Sequence, residues 1–125
     1  MMKSSFIQTF VQLRRIEEFA AGLLKNTAAS ELTVVEVHIM KALFVEDGQH
    51  ASTLARSVGR AATSFTPLLD RLEKRGMIER RADKVDRRAV LIHLTSKGWA
   101  LRGPVEDVVA ILEEEFAGEQ TAAAD

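Results

Sequence analysis

The stretch Leu68-Leu69-Asp70-Arg71-Leu72-Glu73-Lys74-Arg75-Gly76-Met77-Ile78 changes its period partway along. Leu68, Leu69 and Leu72, with Phe65 just upstream, fall at the three- and four-residue steps of an amphipathic helix. Lys74-Arg75 then places cations in a last helical turn, and Gly76 supplies the residue type that adopts the left-handed conformation ending one. From Met77 the apolar residues alternate in twos, so Met77–Ala82 is expected to be a strand. The stretch Asp86-Arg87-Arg88-Ala89-Val90-Leu91-Ile92-His93-Leu94-Thr95-Ser96-Lys97-Gly98 completes the pattern. Its segment Ala89–Leu94 carries β-branched Val90 and Ile92 in alternation, and either Thr95 or Ser96 can cap a following helix. Every residue of the intervening loop, Asp83–Arg88, is charged except Val85. A helix thus runs directly into a β-hairpin with a charged tip.

Working outward, Ala51 to Val58 reads as a short helix presenting Leu54 and Val58, closed by Gly59. Before it, Leu32-Thr33-Val34-Val35-Glu36-Val37 carries a capping box between Thr33 and Glu36, with Leu32 and Val37 placed to close a hydrophobic staple. That helix is expected to reach about Phe44 and to stop at Asp47-Gly48. Phe6, Phe10, Leu13, Ala20 and Leu24 mark a first helix over about 6–26. Val105, Val108, Val109, Leu112 and Phe116 mark a last one over about 97–116, with Gly103-Pro104 interrupting its beginning. The fold class is therefore mainly α with a small β-hairpin, a winged helix-turn-helix over about 32–96 with flanking N- and C-terminal helices, all in a single domain spanning 1–125. In that arrangement helix 62–75 enters the DNA major groove, and the hairpin loop 83–88 reaches the phosphate backbone or the minor groove. Pro67 falls inside helix 62–75 and is harmless if the helix starts near Ser64, in whose first turn no bond is lost.

Composition agrees with a globular chain: of 125 residues, 46% are hydrophobic and 28% charged. With no cysteine, disulfides, thiolate metal sites and thiol redox switches are excluded. Arg14, Arg15, Glu17 and Glu18 interrupt any apolar segment near the start, so neither a secretory signal nor membrane insertion is expected, and the cytoplasm is the expected compartment. The formal net charge of −1 conceals a marked asymmetry. Residues 56–102 carry 12 Lys/Arg against 5 Asp/Glu, whereas residues 103–125 carry none against 7. A basic middle points to a polyanion partner, and the acidic end is expected to lie away from it.

Taken together, Leu32-Thr33-x-x-Glu36, Leu54-Ala55, the segment 68–78 and the segment 86–98 resemble the MarR family of bacterial winged-helix transcriptional regulators, over about residues 6–116. The resemblance implies a sequence-specific regulator of double-stranded DNA, acting as a repressor and binding a palindromic operator as a homodimer closed by the terminal helices. It also implies that the Asp-x-Arg pair of the wing, here Asp86 and Arg88, sets the arginine at the minor groove with the aspartate orienting it. The family closes its dimer with the first helix and two C-terminal helices, and this sequence supplies one long C-terminal helix in their place. Thr66-Pro67-Leu68-Leu69 is similar to the hydroperoxide-responsive branch, whose sensing cysteine is absent here. Relatives bind aromatic effectors between the dimer helices and the winged domain, which implies a small aromatic effector near Trp99.

The candidate DNA-binding residues follow. Ala62, Thr63, Ser64, Thr66 and Arg71 lie on the expected recognition helix, where hydroxyls near an N-terminus bond phosphate or touch a thymine methyl, or serve as caps. Arg56 and Arg60 flank its start as phosphate contacts. Arg80, Arg81, Lys84 and Arg87 add charge along the hairpin to that of Asp86 and Arg88. His38, His50 and His93 are far apart, and Glu36-x-His38 lacks the spacing of a helical metal site, so no metal is expected. The sequence contains no nucleophile motif and no phosphate-cradling loop, so neither an enzyme nor a cofactor is expected. The alternative reading is a winged-helix protein–protein interaction module without DNA binding.

Overall fold

The structure, a computed structural model, describes the backbone of residues 2–124 and the side chains of residues 5–117. Helix α1 (Met2–Leu24) and helix α2 (Val34–Val45) are followed by strand β1 (Gln49–His50), helix α3 (Ala51–Ser57) and helix α4 (Ala62–Lys74). Strands β2 (Ile78–Ala82) and β3 (Val90–Leu94) form the hairpin, and α5 (Ser96–Trp99) and α6 (Arg102–Ala124) complete the chain.

Helix α2 forms where its capping box predicts. Thr33 N–H donates to Glu36 Oε1 at 2.9 Å, and Glu36 N–H donates back to Thr33 Oγ1 at 3.3 Å. Leu32 and Val37, the two staple positions, are both buried. α2 then becomes the centre of the core: Val37, Ile39, Met40, Leu43 and Phe44 are buried together with Leu24 of α1, Leu54 of α3 and Phe65, Leu69 and Leu72 of α4. Ile78, Ile92 and Leu94 close this core from the sheet, and Leu101, Val105 and Val108 close it from the C-terminal side. At roughly 25 cal/mol per Å² of buried apolar area, this shared core is what holds short helices such as α3 in place.

The junction after α4 is a Schellman motif. Gly76 N–H donates to the Glu73 carbonyl and Met77 N–H to the Leu72 carbonyl, with Gly76 at φ +78° and both Leu72 and Met77 buried. The hairpin strands pair antiparallel from Ile78 opposite Leu94 to Ala82 opposite Val90.

Four details differ from the sequence reading. The first helix ends at Leu24 rather than near residue 26, because Asn26 takes a left-handed φ of 69°. Strand β1, only two residues long, pairs with β3 through Gln49 opposite Ile92 and His50 opposite Leu91; so short a segment has no periodicity to read. Helix α4 starts at Ala62, the first residue of the expected 62–75, so Pro67 lies in its second turn and not in the first turn that a start near Ser64 would give it. The Thr63 carbonyl that a residue-67 amide would otherwise reach belongs to an exposed residue, open to water. Last, the break expected at Gly103-Pro104 falls earlier, between α5, capped by Thr95 through Gly98 N–H, and α6, which runs on to Ala124 instead of ending near 116 and holds Pro104 as its third residue, where its missing donor is not needed.

Among the described residues no helix is long and apolar enough to cross a membrane. Helix α6 packs against α1 and α2. Its Glu106 pairs with Lys41 of α2 at 3.2 Å and with Arg102 at 3.4 Å, and these cations lower its carboxyl below the ordinary range, Lys41 contributing most.

Candidate nucleic-acid interface

The N-terminal half of α4 presents Ala62, Thr63, Ser64 and Thr66 to solvent while Phe65 and Leu69 face the core. The N-cap is Ala61, which has no side-chain oxygen, so Thr63 and Ser64 are not the caps. Instead Ser64 Oγ donates to the Ala61 carbonyl at 3.1 Å and Thr66 Oγ1 to the Ala62 carbonyl at 3.0 Å. Both residues are exposed near the helix N-terminus, where the dipole favours an anion.

The cations divide into two sets. Arg56 and Arg60, on either side of the α3–α4 turn, and Lys84 and Arg87 of the wing are exposed. None of these four has an acidic partner within ion-pair distance among the described residues. Arg80, by contrast, is folded back onto α4: its Nη2 donates to Asp70 Oδ1 at 2.6 Å and its Nη1 lies 3.3 Å from Glu73 Oε1. Arg81 pairs with Glu79 of the same strand. Arg71 is exposed but has the buried Glu36 carboxylate 3.7 Å away.

The wing tip carries the pair that the sequence singled out. Asp86 Oδ1 accepts both from the Arg88 backbone N–H at 3.1 Å and from Arg88 Nε at 3.3 Å. The Arg88 side chain is 93% exposed, so the aspartate fixes the base of a guanidinium whose outer edge is free to bind. At the other end of the loop Asp83 accepts from Val85 N–H at 2.9 Å and contacts His50 Nε2 at 2.8 Å. The Val85 amide first, and then His50, hold the Asp83 carboxyl below its ordinary value. Sequence reasoning passed over His50 and Asp83, because a contact between residues 33 apart becomes visible only once β1 pairs with β3.

Trp99, expected beside an effector space, leans its ring against Phe44 at 5.7 Å and lies 6.0 Å from the Arg102 guanidinium. A cleft of about 230 Å³ runs between α2 and α6, lined by Val34, Val37, His38, Lys41, Val109, Leu112 and Glu113, and Trp99 is not part of it. On α1, Phe6, Ile7, Phe10, Val11 and Leu13 are all exposed, as is Ile111 of α6. Among the described residues no three His, Cys, Asp or Glu side chains converge on a point that could hold a metal ion.

Residues 32–90, from the capping box to the second hairpin strand, match the family model of the MarR family. Over that segment the chain is similar to members of the MarR family. The HTH-type transcriptional regulator TtmR of Methylorubrum extorquens is 34% identical over 79 residues, 63% of this chain and 40% of TtmR. The HTH-type transcriptional regulator SarZ of Staphylococcus saprophyticus is 32% identical over 86 residues, 69% of this chain and 59% of SarZ. The chain spans about half the length of these curated relatives. Among solved structures, the transcriptional repressor CouR bound to a 23-mer DNA duplex superposes with a TM-score of 0.75 at 26% identity, covering 96% of this chain and 84% of CouR.

Proposed function

We propose that the chain is a cytoplasmic, sequence-specific DNA-binding transcriptional regulator, a repressor that engages a palindromic operator as a homodimer. The observation that carries this reading is Arg88, exposed at the wing tip and oriented by Asp86 before any ligand arrives. Holding the guanidinium in advance reduces the ordering cost of inserting it into a groove. The winged helix-turn-helix unit, about 32–96, presents the exposed residues Ala62, Thr63, Ser64 and Thr66 of α4 to the major groove. Arg56, Arg60, Lys84 and Arg87 contact phosphates on either side, and Arg88 lies in the minor groove. Arg80 serves this surface indirectly, tying the hairpin to α4 through Asp70 and Glu73.

The dimer forms through the terminal helices. Phe6, Ile7, Phe10 and Leu13 are exposed along α1, and an apolar stripe of that kind suits an interaction surface. A two-fold dimer places two copies of α4 about 34–36 Å apart, one turn of duplex. A small aromatic effector fits the α2–α6 cleft better than the surroundings of Trp99, since four apolar side chains there adjoin His38, Lys41 and Glu113. The curated relatives named as transcriptional regulators, and CouR with its bound duplex, support this reading. Selecting protein-bound fragments from a random duplex pool tests it: the expected result is a palindrome with half-sites about 10 base pairs apart. Recovery of unenriched sequence together with a tight protein partner would favour the interaction-module alternative.

A further inference from the structure

We propose that His50 is a positioning residue for DNA binding, setting the wing arginine from the helix-turn-helix side; this rests on the DNA-binding reading above. Arg80 ties the β2 strand to α4, but the loop beyond it has little to hold it. A two-stranded hairpin is marginal on its own, and here the third strand covers β3 only at Leu91 and Ile92, leaving residues 83–89 beyond its reach. Two contacts from the segment between α2 and α3 make up the deficit. Asp47 Oδ1 accepts from Leu94 N–H at 2.7 Å while its Oδ2 lies 3.4 Å from His93 Nδ1, which anchors the foot of the hairpin. His50, immediately before α3, reaches the top: its Nε2 lies 2.8 Å from Asp83 Oδ2.

From Asp83 the constraint passes along the loop through backbone bonds. Asp83 Oδ1 accepts from Val85 N–H, Asp83 N–H donates to the Ala89 carbonyl, and Ala89 N–H donates to the Asp86 carbonyl. Asp86 then holds Arg88 by its amide and its Nε. His50 is therefore the link through which α3 sets the attitude of an arginine 38 positions further on in sequence. His50 and Arg88 also line one cleft of about 230 Å³, together with Ser52, so the start of α3 and the wing meet there. An imidazole Nε2–H is the donor this contact needs, and a glutamine at the same place supplies a neutral donor of similar reach. The His50 side chain is 47% exposed and lies outside the core, so its truncation removes the link without opening a cavity.

The test uses the full chain and a duplex recovered by selection from a random pool. His50→Ala is expected to weaken binding roughly three- to tenfold in the wild-type background and to have no further effect in Arg88→Ala, while His50→Gln restores most of the loss. In the free protein, His50→Ala is expected to speed hydrogen exchange at the Val85 and Arg88 amides and to leave the β2–β3 ladder unchanged. An equal loss in the wild-type and Arg88→Ala backgrounds would overturn the proposal, since His50 would then be touching DNA itself. Unchanged amide exchange at the wing would overturn it without touching the functional reading. Absence of duplex binding by the wild type would overturn the functional reading, and the role of His50 in DNA binding with it.

Discussion

Arg75, at the C-terminal end of α4, donates from Nη2 to Oε2 of Glu36, a carboxylate with no exposed surface at the start of α2. The other oxygen of Glu36 takes the Thr33 N–H, so one side chain both caps α2 and fixes the far end of α4. Arg75 also donates to the Glu31 carbonyl at 3.3 Å, which ties the α1–α2 connection to the same point. Arg75→Ala is expected to destabilise the fold by about 3 kcal/mol, because it leaves a buried charge without its main partner. The effect stays near that value because Arg71, 3.7 Å from Glu36, remains. Urea unfolding of the variant against the wild type measures it.

The hairpin needs a glycine after its second strand. A Cβ on Gly98 would lie 2.2 Å from the Met77 carbonyl oxygen, a backbone atom that itself accepts from Thr95 N–H. Gly98→Ala is expected to cost about 2 kcal/mol or more, read as a lowered unfolding midpoint, whereas Gly103→Ala, with nothing within 4 Å, is expected to be tolerated.

Much of this architecture was legible before any coordinates, and the reason is local. The Thr33–Glu36 box, the Lys74-Arg75-Gly76 stop and the alternation from Met77 are each encoded within a few residues, as is the Asp86–Arg88 contact at the wing tip. What escaped depends on tertiary pairing. Glu36 read only as a capping residue, since nothing near it in sequence announces Arg75. Arg80 read as one more cation for DNA, because Asp70 and Glu73 face it only once α4 and β2 are packed together. Pro67 is harmless in a first turn begun near Ser64, but the helix begins at Ala62, as the range 62–75 expects, after an N-cap without a side-chain oxygen.

The depressed Asp83 carboxyl gives the wing a pH response of definite sign. A group whose folded value lies below its ordinary value of 3.8 contributes its stabilisation fully above that value and loses it as pH falls through the lowered one. Protection of the Val85 amide, measured relative to the intrinsic exchange rate at each pH, is therefore expected to fall below about pH 4 in the wild type. Asp83→Asn is expected to start less protected and to show a shallower change over the same range. Glu106, lowered chiefly by Lys41, contributes equally to both proteins and drops out of the comparison.

The apolar face of α1 is expected to be an interface. Phe10→Asp would place a charge on a surface where Phe10 is 57% exposed in the single chain, so the fold of each copy should survive. Sedimentation equilibrium is expected to show a dimer for the wild type and a monomer for the variant. A variant that remains dimeric would move the interface elsewhere.

The most direct measurement is the salt dependence of binding to a selected duplex, taken in parallel for the wild type and Arg88→Ala. The account predicts that the logarithm of affinity falls linearly with the logarithm of salt concentration, with a slope of about −0.9 for each phosphate neutralised. Arg88→Ala is predicted to lose roughly 1–3 kcal/mol of binding free energy, and Asp86→Ala less, since the arginine stays but is no longer held. Affinity that does not change with salt, or Arg88→Ala and Asp86→Ala proteins that bind like the wild type, would contradict the assignment of this basic surface to DNA.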